Sequence, residues 1–233
     1  MDFYGLIAWA VENKKRLTTI GVGLLVVGAI VGIYFWHGNY QASASEEALD
    51  HLAIPTPEEA MRMDAGPYLE VANRYPDTTA AARALLIAGS IQYGSGKYDQ
   101  AATTFQKYLS SHRDYPMVTQ ALVGAAASLE MQGKTNEAIA RYEEVMRHSS
   151  DPNTIQAASA LGRLYEAQGK SEQALNSLAK VVQETRQDST WNAVARLQAQ
   201  ELLAKHPDLQ QKLAQQQQQG AASMAPTAPS GQP

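Results

Sequence analysis

The sequence predicts an all-α protein, a single N-terminal transmembrane helix followed by a solenoid of helix-turn-helix repeats. Three observations carry that prediction. First, Gly96-Lys97, Gly133-Lys134 and Gly169-Lys170 recur 37 and then 36 residues apart, with Ala101, Ala138 and Ala174 at the same offset from each Gly. A fixed period of this length is the mark of a repeat array. Second, apolar residues follow each Ala at helical spacing: Phe105, Tyr108 and Leu109; Tyr142, Val145 and Met146; Leu178, Val181 and Val182. Third, no charged residue interrupts Leu17 to Trp36, a run of 20 residues that as a helix crosses about 30 Å of hydrocarbon.

Taken in order, residues 1–16 read as a short cytoplasmic segment, with Phe3, Tyr4, Leu6, Ile7 and Trp9 before the basic cluster Lys14, Lys15, Arg16. The transmembrane helix covers 17–36, and Tyr34 and Trp36 stand where an interfacial aromatic belt would place them. Three basic residues precede the span, and the next one after it is Arg62. The positive-inside rule therefore keeps the amino end in the cytoplasm and exports the chain beyond the span, which in a bacterium means an inner-membrane protein with repeats in the periplasm or outside the cell. Ala42-Ser43-Ala44 also fits a signal-peptidase site, and cleavage there would release a soluble secreted protein; both readings export the repeats. Gly28 and Gly32 form a G-x-x-x-G spacing through which two spans could pair as a homodimer, or which simply belongs to a Gly-rich apolar helix.

Residues 37–66 read as a linker with a broken helix, entered at Ser45 and interrupted by Pro55 and Pro57. The repeat domain spans 67–214. Its clear units lie at about 78–112, 116–148 and 152–186, preceded by a partial unit and followed by a helix near 189–205 and a polar closing stretch after Pro207. From Gln215 to Pro233 the chain turns to Gln, Gly, Ala, Ser and Pro, which predicts a disordered tail.

Small residues in the preceding segments, Gly89, Ala126 and Gly162, stand a constant distance before each repeated Ala and let paired helices approach closely. With the Ala series, the aromatic Phe105 and Tyr142, Tyr165 in a first helix, and Pro116 and Pro152 near unit ends, the units resemble the tetratricopeptide repeat (TPR) family, divergent in lacking its first-helix Trp. The resemblance covers roughly residues 67 to 205. It implies a right-handed α-solenoid with a groove lined by first-helix residues, here Arg83, Ser90 and Tyr93, then Gln120, Glu130 and Met131, then Gln156, Ser159, Arg163 and Glu166. Such a mixed polar groove suits a peptide or a partner's helix. The family's carboxylate clamp is not matched, because Leu86 and Ser90 stand in its first unit. Arg163 and Glu166, three apart on one helical face, form either an ordinary solvated ion pair or a recognition element.

Chemistry is hard to place elsewhere. The chain has no Cys, which removes disulfides, thiolate metal sites and Cys nucleophiles together. The five His residues are scattered without ligand spacing, Gly94-Ser95-Gly96-Lys97 lacks phosphate-loop spacing, and Glu143 with Glu144 point apart as helix neighbours do. No cofactor or metal is expected, and the enzyme reading would need an unrecognised site. A net charge of −4 without a basic stripe argues against nucleic acid. A protein-binding scaffold remains. Its layout of short leading segment, single span and exported repeats resembles the membrane-anchored ancillary subunit of the bacterial Sec translocon, a family implied to pass emerging proteins to periplasmic chaperones; a scaffold for envelope assembly or division has the same outline.

Overall fold

The computed structural model describes residues 13–113, 117–148, 153–187 and 189–223. Residues 1–12 of the leading segment expected at 1–16 therefore lie outside the described residues, as do Pro116 and Pro152. Every regular element among those described is a helix, and the chain divides into two units. The first runs through Ala53 and includes Pro67–Ala84; the second holds Ile54–Gly66 and the chain from Leu85 onward.

In the first unit, α1 runs unbroken over Lys14–Asp50, 37 residues. The linker expected at 37–66 is thus helical for its first fourteen positions, and Ser45 starts no new helix. The reason is local: nothing between Trp36 and Asp50 is Pro, and the one Gly there, Gly38, costs only about 1 kcal/mol. From Val22 to Tyr40 every residue is exposed, whereas Ser45 and Leu49 are buried. Arg83 reaches Glu46 at 2.9 Å, and the Tyr68 hydroxyl donates to the Ala53 carbonyl. Helix α2 is a single turn, Pro57–Ala60, in the second unit. Thr56 caps it, Glu59 returns the bond to the Thr56 N–H at 2.8 Å, and Pro57 takes the first helical position, where a missing N–H is harmless. Helix α3, Gly66–Arg74, buries Tyr68, Val71 and Ala72.

The repeats come next as helix pairs: α4 (Thr79–Gly94) with α5 (Tyr98–Ser111), α6 (Val118–Met131) with α7 (Thr135–Val145), and α8 (Asn153–Ala167) with α9 (Ser171–Glu184). Each pair turns on a Gly with positive φ, Gly96, Gly133 and Gly169 at +74°, +73° and +72°. In each turn the following Lys N–H reaches five residues back, to Gln92, Leu129 or Tyr165, while the Gly N–H reaches three back. This pairing closes the first helix of all three units. The repeated Ala101, Ala138 and Ala174 are all fully buried.

Two further helices complete the second unit, α10 (Thr190–Lys205) and α11 (Pro207–Ser223). Ser189 caps α10, and buried Asn192 donates to the Val182 carbonyl at 2.8 Å, tying α10 to the end of α9. The tail expected from Gln215 is helical through Ser223, since Gln and Ala are good helix formers and no Pro stands between Pro207 and Pro226; residues 224–233 lie outside the described residues.

Candidate functional site: a cleft between first helices

Within the second unit, α4, α6, α8 and α10 line a cleft of about 650 Å³. Its floor is small and apolar, with Ala127, Ala160, Gly162, Leu178 and Leu202; its walls carry Tyr93, Glu130, Met131, Gln156, Arg163, Glu166, Gln198, Glu201 and Lys205. Seven of the ten groove residues read from the sequence meet here: Tyr93, Glu130, Met131, Gln156, Ser159, Arg163 and Glu166. Three do not. Arg83 belongs to the first unit and pairs with Glu46; Ser90 is exposed and donates to the Leu86 carbonyl of its own helix; Gln120 is exposed in the first turn of α6, away from the cleft lining.

The charges are arranged in two clusters. Arg163 grips Glu130 with both arms, at 2.5 and 3.3 Å, and the same carboxylate accepts the Tyr142 hydroxyl at 3.3 Å. Glu130 is largely covered, at 20% side-chain exposure, while Arg163 is 62% exposed. The carboxylate thus lies beneath and the guanidinium faces the cleft. Burial pushes the Tyr142 phenol far above its ordinary range, the Glu130 charge adding to it, and the Glu130 bond raises Arg163 further. Burial also raises Tyr93, with Tyr98 contributing.

At the second cluster Lys205 stands 3.2 Å from Glu201 and 3.7 Å from Glu166, with His206 also 3.7 Å from Glu166. The Glu201 bond, then the Glu166 charge, hold the Lys205 ammonium above its usual range. One turn before Arg163 on α8, Ser159 donates to Gln198 of α10 at 2.7 Å. The solvated i,i+3 pair of Arg163 with Glu166 is therefore not what forms. Each turns to a different helix, because the neighbouring first helices supply a partner closer than the one on α8 itself.

Sequence reasoning missed the contribution of α10. Glu166 and Lys205 are 39 residues apart, as are Ser159 and Gln198, so α10 repeats α8 at nearly the common period. No Gly-Lys turn comes after it, only Lys205-His206-Pro207, and the signature that marked the other units is missing. Tyr142 and Leu178 come from second helices and line the cleft too.

Known proteins match this arrangement. Family profiles described as tetratricopeptide repeat match residues 83–115 and 117–183. Over these residues the chain is similar to tetratricopeptide repeats. Similar solved structures include a tetratricopeptide repeat protein from Parabacteroides merdae, at 16% identity and a TM-score of 0.50, covering 72% of this chain and 60% of that one. BtubC (BKLC) from P. vanneervenii is similar at 13% identity and a TM-score of 0.52, covering 84% of this chain and 95% of that one. At such identities the likeness concerns the fold. No curated protein matches. Among the described residues no three His, Cys, Asp or Glu side chains group as metal ligands.

Proposed function

We propose that this chain is a membrane-anchored interaction scaffold whose cleft in the tetratricopeptide repeats binds a segment of a partner protein. The observation that carries it is the cleft itself, lined by successive first helices and mixing an apolar floor with preorganised charge. Anchoring is supported by α1, whose large apolar residues from Val22 to Trp36 are exposed. Its mean hydropathy reaches 1.5 over a membrane-length window, and Trp36 stacks on Tyr40 near the end of the apolar run. Retention of the anchor is favoured over cleavage after Ala44, since Ala42-Ser43-Ala44 sits inside a continuous helix and the next residue, Ser45, is buried.

The basic residues ahead of the span support a topology with the repeats outside the cytoplasm, in the periplasm of a bacterium. Work beside the Sec translocon, passing emerging proteins to periplasmic chaperones, is the finer reading that this layout supports. A paired anchor is compatible with Gly28 and Gly32, since a methyl group added at either would meet nothing within 4 Å. The test is protease added to either face of sealed membranes. Digestion of the repeats only from the outer face, with the anchor left in the membrane, is the expected result; digestion only from the cytoplasmic face reverses the topology, and release of the intact repeats by a salt wash removes the anchor.

A further inference from the structure

The cleft is electrically ordered along α8. At one end the Glu130 carboxylate is largely covered and takes three donors, two from Arg163 and one from Tyr142, so its charge is answered within the protein. Arg163 spends two of its five N–H groups there, and a 62% exposed guanidinium offers the rest to the cleft in a fixed orientation. One turn further along α8, about 4.5 Å by helical rise, two carboxylates share one ammonium. Glu166 lies 3.7 Å from Lys205, and Glu201 lies 3.2 Å from the same nitrogen while remaining 65% exposed. His206 adds positive charge there only when protonated. The lining as a whole holds three carboxylates against two fixed cations. The accessible charge is therefore positive at the Arg163 end and negative at the Glu166–Glu201 end.

We propose that the cleft reads a spaced acid-base pair in an extended peptide. An acidic side chain of the partner seats on Arg163, and a basic one two residues along seats against Glu166 and Glu201. Two residues is the shortest spacing that puts both side chains of an extended chain on one face. The charge order fixes the direction in which the segment lies, acid-x-base running one way along α8 and base-x-acid the other. Because Glu130 holds the guanidinium in place beforehand, little ordering cost opposes the acidic contact. This inference rests on the cleft being the binding site.

The test is selection from a random-peptide library displayed on phage, against the full chain in lipid nanodiscs, with bound peptides located by hydrogen exchange of α8 and α10. The expected result is a selected pattern with an acid and a base two apart. Arg163→Gln should lose the acidic preference while keeping the basic one, weakening the selected peptide by about tenfold. Glu166→Gln with Glu201→Gln should do the reverse. Arg163→Lys, which leaves a cation above Glu130, should retain the acidic preference, which separates recognition from misfolding. Peptides that protect α8 and α10 but show no acid and base at that spacing, or whose pattern survives Arg163→Gln unchanged, overturn this inference alone. Peptides that protect neither helix overturn the cleft reading on which it rests.

Discussion

At the scale of single residues, the small positions of the repeats are not equivalent. A Cβ built on Gly89 would lie 2.8 Å from the Phe105 ring, and one on Gly124 closer still, so this buried ring is gripped between two glycines on different helices. At Gly162 the added carbon would meet only Leu178, at 3.7 Å, an ordinary contact. Gly124→Ala is therefore expected to overpack and cost about 1–3 kcal/mol, whereas Gly162→Ala should be neutral or stabilise by up to about 1 kcal/mol through helix propensity. Paired urea titrations check both. Equal effects would mean that Phe105 has another place to go. Tyr165 gives a pH-dependent prediction at the same scale. Burial and its bond to Glu143 push its phenol up to about 12, above the ordinary value of 10. A raised folded-state pKa means that the folded protein holds the proton more tightly than the unfolded chain. The stability it contributes is complete below pH 10 and is lost as pH rises from there through about 12. Tyr165→Phe should flatten that part of the profile, and an unchanged alkaline slope in the variant would show that Tyr165 does not drive it.

At the scale of elements, the three turns share one device. Each closes a first helix with Gly at positive φ, and the Lys after it starts the second helix without a side-chain cap. An L side chain at such a φ costs roughly 1–2 kcal/mol. Gly133→Ala should lower stability by about that amount, as read by the urea midpoint, even though nothing lies within 4 Å of the added carbon. The penalty is conformational rather than steric, so Gly133→Asn should cost less than Gly133→Ala. Identical midpoints for the two variants would contradict this. Contacts between successive units reinforce the stacking at a recurring offset: the Gln132 amide donates to the Tyr98 carbonyl at 3.0 Å, Arg141 to Gln106 at 2.8 Å, and Gln168 to Asn136 at 3.2 Å.

At the scale of the whole molecule, a repeat array has an end that must be closed. Helix α11 supplies the closure, burying Leu209 and pairing Lys212 with Glu172 at 2.6 Å on α9. The ion pair is exposed and contributes little; the Leu contributes most. Leu209→Ala should cost about 2 kcal/mol, the low end for a buried Leu because the helix carrying it can shift. In a solenoid that loss falls mainly on the adjoining repeat. Hydrogen exchange should therefore quicken in α10 and α9 and stay nearly unchanged in α5. Uniform loss of protection across the second unit would show a single cooperative core instead.

Local pattern by itself determined the repeat helices, their pairing, the Gly turns and the apolar run. Each comes from period and backbone preference, which neighbouring residues in the chain already decide. Seven of the ten groove residues read from that pattern line the cleft, since a first-helix position repeats with the unit. What only the tertiary structure decided is which side chains meet across units. Arg163 with Glu130, and Lys205 with Glu166 and Glu201, are pairs whose geometry depends on the stacking of one unit on the next. The same holds for Phe105, whose need for Gly124 arises between helices of different pairs. Arg83 and Ser90 fit the pattern but found other partners, Glu46 and Leu86, because a repeat position states where a side chain starts and packing decides where it ends.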